Sequence, residues 1–268
     1  MLMGMSVGIC RICGERKPLT FEHIPPRATG NDHTVKVYTA YREHGDGGLN
    51  ADAITRSMFG DGDLDDLKYR QSQRGMGVET ICRDCNSYLG VNYVQPFVGL
   101  FDDVRQSATN VLAEIGGRKG QAVGLDLRGF PPLAFFKQVV SNFCATADGM
   151  LDCKDFLLDR ENTDFPERYR LHMFIVPDLG AYKLMTGWMA YLFKGGGACC
   201  LACVEYPPFG FVLYDRGRSS SLPDRAGDIT ELSRCPWGYR PEGMTLCLPV
   251  VDAGDRQPYL WGRYPDAV

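Results

Sequence analysis

The sequence predicts an α+β protein: a zinc-stabilised N-terminal module over about residues 1–95, followed by an α+β domain with an antiparallel sheet over 96–268. Three observations predict it. Two Cys-x-x-Cys pairs, Cys10/Cys13 and Cys82/Cys85, lie in the first part. That part is rich in Gly, Asp, Arg and Cys and poor in long apolar runs, so a structural metal is the natural support for it. The second part reads as two helices and a series of short strands separated by Pro and Gly turns.

In chain order, the elements follow from local pattern. Residues 42–76 contain "HGDGGLNADA" and "FGDGDLDDLKYRQSQRG" and read as a long polar loop or insertion. From Val94 the texture changes. Phe101, Val104, Ala108, Val111 and Ile115 recur at helical spacing and stop at Gly116-Gly117. "QAVGLDLRG" alternates Val123, Leu125 and Leu127, which predicts a strand. "PPLAFFKQVVSNFCATADG" opens on prolines and closes on glycine, as a helix does. "RLHMFIVP", "YKLMTGWMAYLF", "ACCLACVEY", "FGFVLYD" and "GMTLCLPVV" read as strands.

Composition bounds the function classes. With 44% hydrophobic and 23% charged residues, the chain has the profile of a soluble globular protein. No apolar run reaches the roughly 18 residues of a membrane helix, so no membrane span is expected. "MLMGMSVGICRICGERK" lacks the basic and apolar segments of a secretory signal, and the cytoplasm is the expected compartment. Eleven cysteines, in a compartment that keeps thiols reduced, favour metal ligation or buried thiols over a disulfide framework. The net charge of −4 gives no global attraction to a polyanion. Residues 1–92 carry 11 Lys/Arg against 12 Asp/Glu, so nucleic-acid binding would need a local basic patch or a metal.

Two Cys-x-x-Cys pairs in one core-poor region predict a four-thiolate zinc site, since Zn²⁺ favours four soft ligands in a tetrahedron. Gly14 directly after Cys13 suits a tight knuckle. The clip would bring "FEHIPPRA" (residues 21–28), after the first pair, beside Asn86, after the second. Glu22, His23 and Asn86 could then converge. Adjacent residues of a strand point to opposite faces, so Glu22 and His23 must sit at a strand end or bend to reach one ligand. Pro25 and Pro26 fix φ there and stiffen the exit.

These residues resemble the HNH nucleases, the ββα-metal or His-Me finger superfamily. The matching pieces are Cys10/Cys13, "EHIPP" and "CRDCN", in order, over residues 10–86 only. The resemblance implies a zinc-stabilised ββα-metal, treble-clef-like module that hydrolyses phosphodiester bonds, in DNA before RNA. It implies His23 as general base, a neutral imidazole being suited to take a water's proton near pH 7. It implies a Mg²⁺ or Mn²⁺ ion on the hard oxygen ligands of Glu22 and Asn86, which stabilises charge on the phosphate and leaving oxygen. Two positions depart from the family pattern. Glu22 stands where Asp is more frequent, and Gly77 stands where relatives carry an Asn that braces the active-site loop.

Other residues carry weaker expectations. Arg27, Arg74 and Arg83 could touch phosphate, though each reads equally as an ordinary surface arginine. His33 and His44 read as solvated loop residues. Cys199, Cys200 and Cys203 read as buried thiols, with a second metal site as the alternative. Asp61, Asp63, Asp65 and Asp66 read as a solvated loop. Residues 96–268 could position substrate, bind a protein partner or form a homo-oligomer. The competing reading of the whole chain is a non-catalytic zinc-knuckle module that binds nucleic acid or protein.

Overall fold

The computed structural model describes residues 6–38, 69–115, 122–177, 183–192, 197–220 and 226–251. It is an α+β structure with antiparallel sheets and a four-cysteine cluster near its N-terminus. Strands β1 (Val7–Ile9), β2 (Arg16–His23) and β5 (Gly77–Cys82) form a small sheet in the order β1-β2-β5. Strands β3 (Val35–Tyr38) and β4 (Tyr69–Ser72) pair as a separate ribbon. The segment expected to be loop over 42–76 therefore ends in a strand, where Tyr69–Ser72 finds a partner in β3 that is distant in sequence.

Helix α1 (Arg83–Ile115) follows β5 without a linker. It begins at Arg83 rather than near Val94, because Leu89, Tyr93, Phe97 and Phe101 already form a buried stripe at a spacing of four. The helix and the buried core both continue across residues 95 and 96. Strand β6 (Ala122–Leu127) alternates as its sequence suggests and pairs with β12 (Met244–Pro249).

Helix α2 (Pro132–Thr146) has Pro131 at its N-cap, and all of Pro132–Ala145 is buried. It touches α1, β5 and β10 together, so it is the element around which the molecule is packed. Even Lys137 is fully buried on it. Its Nζ donates to the Phe156 and Asp159 carbonyls, each at 2.6 Å, which fixes the short helix α3 (Lys154–Leu158).

The large sheet comprises β7 (Tyr169–Ile175), β8 (Leu184–Met185), β9 (Met189–Leu192), β10 (Ala198–Tyr206) and β11 (Phe209–Asp215). Its order is β7-β11-β10-β8, with β9 also on β10. "YKLMTGWMAYLF" thus gives two short strands in place of one. Aromatic rings join sheet to helices: Phe97 of α1 lies 5.8 Å from Phe135 of α2 and 6.0 Å from Phe211 of β11. Among the described residues no helix is long and apolar enough to cross a membrane.

Candidate functional site

The site is built on the junction of β2, β5 and the first turn of α1. Cys10 and Cys13 sit on a knuckle in which the Gly14 amide donates to the Cys10 carbonyl at 2.8 Å, and Gly14 takes φ +78°. Cys82 ends β5 and Cys85 lies in the first turn of α1. The four sulfurs lie within 4.8 Å of one another, with Cys13 and Cys82 4.0 Å apart. A tetrahedral zinc with Zn–S bonds of about 2.3 Å needs sulfurs roughly 3.8 Å apart, so a small contraction closes the set on an ion. The Cys82 amide donates to Cys10 Sγ at 3.3 Å. A hydrogen bond from the Cys85 thiol, helped by the Cys13, Cys82 and Ile12 amides, draws the Cys10 thiol down to about 4 against its burial. The thiolate is the form that ligates a metal, and the cluster could hold a metal ion such as zinc.

The clip sets β2 against α1, and Glu22 meets Asn86 there. Asn86 Nδ2 donates to Thr20 Oγ1 at 3.1 Å, and the Asn86 side chain lies close enough to the Glu22 carboxyl to lower its pKa. Thr20 in turn donates to the Ile81 carbonyl at 3.1 Å. Burial pushes the Glu22 carboxyl up to about 7, offset only in part by Asn86, and no cationic side chain contributes. A desolvated carboxyl beside a side-chain amide fits a hard divalent cation once the amide oxygen, in place of Nδ2, is turned to the ion.

His23 is the last residue of β2 and pairs with Gly77. The strand register shifts between Thr20 and Glu22, a bulge that re-aims the residues at this strand end. The imidazole packs edge-on to Phe21, ring centroids 5.0 Å apart, and the Arg74 backbone lies near enough to favour its charged form. Burial and then Arg27 lower its pKa, so it stands neutral near pH 7. A neutral imidazole offers one ring nitrogen as a base. Glu22 and Asn86 are brought together. Among the described residues no hydrogen bond or ion pair joins His23 to either of them.

One contributor has no counterpart in the sequence reading. The Asn31 side chain is fully buried. Its Nδ2 donates to the Pro25 carbonyl at 2.8 Å and the Met76 carbonyl at 2.7 Å, while its Oδ1 accepts from the Met76 amide at 2.7 Å. Asn31 thereby ties the exit from "EHIPP" to the entry of β5. Gly77 admits no side chain, since a Cβ there would strike the Glu22 carbonyl and the Phe21 ring. In sequence, "TGND" signals only a turn.

Of the expected phosphate contacts, Arg27 and Arg74 lie close enough to act on His23. Arg74 also stacks over Phe21 at 4.1 Å and pairs with Glu79 at 2.7 Å. Arg83 is exposed at the first position of α1, with no contact to His23 or Glu22 among the described residues. His33 is exposed but engaged, with Nδ1 on the Gly30 carbonyl at 3.0 Å and Nε2 on Lys183 Nζ at 2.9 Å. Cys199, Cys200 and Cys203 are buried along β10. Their alternation sends Cys199 and Cys203 to one face and Cys200 to the other, so the three do not converge. His44 and the acidic run 61–66 lie outside the described residues.

Comparison of the chain with known protein families, with characterised proteins and with solved structures finds no match.

Proposed function

We propose that the chain is a metal-dependent endonuclease of the HNH type, acting on phosphodiester bonds of nucleic acid, DNA before RNA. The observation that carries this reading is the approach of the Asn86 side chain to the buried Glu22 carboxyl at the strand end, next to a neutral His23. A divalent ion on Glu22 and Asn86 would stabilise negative charge on the phosphate and the leaving oxygen. His23 takes the proton of the attacking water. In-line displacement puts attacking and leaving oxygens on opposite sides of phosphorus. A base that lies apart from the Glu22–Asn86 pair suits that geometry. The Arg27 and Arg74 side chains add positive charge on the His23 side, where the phosphate would enter.

The test is plasmid cleavage in Mg²⁺ or Mn²⁺ by the parent protein and by His23→Ala. Nicking or linearisation by the parent, abolished by EDTA and by the substitution while the variant keeps about one zinc per chain, supports the reading. Cleavage that survives in His23→Ala sinks the mechanism. Absence of cleavage from both, with zinc bound, shifts the assignment to a non-catalytic zinc-knuckle module.

A further inference from the structure

Thr20 ties the strand that carries Glu22 to the second cysteine pair. It lies on β2 opposite Ile81 of β5, just before the bulge that separates it from Glu22. Its Oγ1 donates to the Ile81 carbonyl and accepts from Asn86 Nδ2, each at 3.1 Å. Ile81 directly precedes Cys82, and Asn86 directly follows Cys85. One half-buried hydroxyl therefore spans the two ends of the second pair of the clip. A threonine hydroxyl has a single proton. Here that proton is committed to Ile81, so Thr20 can only accept from Asn86, and the atom it selects is the nitrogen. The Asn86 side chain also lowers the pKa of the Glu22 carboxyl, as a nearby N–H does. The amide thus rests in the orientation that suits two oxygen acceptors. A cation asks for the opposite one, with Oδ1 turned to the ion.

We propose that Thr20 is a positioning residue of the ion site, a latch that holds the Asn86 amide with its nitrogen, not its oxygen, available to Glu22. To receive a divalent ion the amide must turn. Turning breaks the Asn86–Thr20 bond, and the hydroxyl can follow only by giving its proton to Oδ1 and leaving the Ile81 carbonyl. Two hydrogen bonds then become one. Ion binding has to supply that difference, because a ligand shifts an equilibrium only by its preference for one state over the other. The free protein therefore takes the ion more weakly than a carboxylate and an amide oxygen already in place would. The inference rests on the nuclease reading for the ion at Glu22 and Asn86, but its test reads ion affinity, not cleavage.

The test is calorimetric titration of Mn²⁺ into the zinc-loaded protein at about pH 8, above the titration of Glu22. Thr20→Val removes the hydroxyl but keeps the shape and suits a strand. It is expected to bind Mn²⁺ about fivefold more tightly than the parent, the worth of one net hydrogen bond. Thr20→Ser keeps the hydroxyl and is expected to keep the parent affinity. Thr20→Val combined with Asn86→Ala is expected to match Asn86→Ala alone, because Thr20 acts only through that amide. Unchanged or weaker binding in Thr20→Val would overturn the latch. So would an equal gain in Thr20→Ser or on the Asn86→Ala background. The parent protein gives a second readout that needs no variant. Nitrogen-15 spectra are expected to show an Asn86 Nδ2 proton protected from exchange without ion and exposed at saturating Mg²⁺, and protection that persists would also overturn the latch. A parent that binds neither ion discards the nuclease reading and the latch with it. Ion binding that ignores Thr20 discards the latch alone.

Discussion

In the small sheet, β2 has no fully buried residue, and the buried side chains around it include the sulfurs of Cys10, Cys82 and Cys85. In the large sheet every residue of β11 is buried, and the aromatic rings of α1 and α2 close over it. Two antiparallel sheets in one chain are therefore held by different chemistry. The large one excludes water from apolar area, a diffuse effect shared by many side chains. The small one lies against four cysteine sulfurs that could close on a metal ion such as zinc. That difference places the candidate chemistry where backbone and polar side chains remain reachable by solvent and substrate, on a support that needs no large core.

The sharpest way to break this comparison is to remove the metal. Structural zinc supplies on the order of 10 kcal/mol or more of apparent folding free energy in small metallo-modules. A Phe136→Ala substitution, which empties a fully buried site on α2, is expected to cost about 3–5 kcal/mol. Cys10→Ser is expected to lose the zinc and amide protection across β2 and β5 while protection in β10 and β11 persists. Phe136→Ala is expected to lower the melting temperature with zinc content unchanged. Hydrogen exchange with metal analysis checks both. Full protection of β2 and β5 after metal loss would show that apolar packing holds the small sheet as well.

The two regions also differed in how legible they were. The cysteine pairs could be read directly because a knuckle is a local object of four residues. Strands β7, β10 and β11 were visible as apolar runs with β-branched and aromatic residues. The start of α1 was hidden because "CNSYLGVNY" is crowded with Asn, Ser and Gly, weak helix formers, although Leu89 and Tyr93 already carried the buried stripe. Buried Lys137 was hidden because its partners are carbonyls of α3 and the turn after it, which no side-chain pattern announces. A strand end or bend at Glu22 and His23 is readable in the sequence, but the place of the bulge, between Thr20 and Glu22, and the Asn31 tie are not. Both depend on tertiary pairing of segments far apart in sequence.

Asn31 gives the second test, because it is the polar counterpart of the zinc clip within the same small region. Asn31→Ala leaves the Pro25 carbonyl and the Met76 amide without their buried partner, while the Met76 carbonyl keeps the Ile24 amide at 3.0 Å. The expected cost is about 3 kcal/mol, below the sum of three separate bonds because water can enter part of the space. Zinc content should be unchanged, and kcat should fall more than KM rises, since the tie positions His23 without touching substrate. Asn31→Asp keeps the acceptor for the Met76 amide but sets a carboxylate against two carbonyl oxygens, so it should be no better than alanine. Wild-type kcat in either variant, with the melting temperature lowered, would reduce Asn31 to a stabilising residue only.

The smallest expected effect concerns proton linkage at Glu22. Its carboxyl is pushed up to about 7 by burial, from an ordinary 4.5. The folded pKa is raised, so without a cation this group's contribution to stability is full below about pH 4.5 and is lost as pH rises through 7. A divalent ion needs the carboxylate, so below pH 7 it must displace the proton. Apparent Mn²⁺ affinity should then fall about tenfold, or about 1.4 kcal/mol, for each pH unit below 7, and level off above it. Calorimetry in buffers of different ionisation enthalpy should show close to one proton released per ion near pH 6 and almost none near pH 8. His23 does not blur this readout from pH 7 upward, because its pKa is lowered and it stays neutral there. Glu22→Gln should bind weakly with a flat profile. A parent profile equally flat would mean that the ion does not bind at the Glu22–Asn86 pair, and the polar end of the small sheet would then need another role.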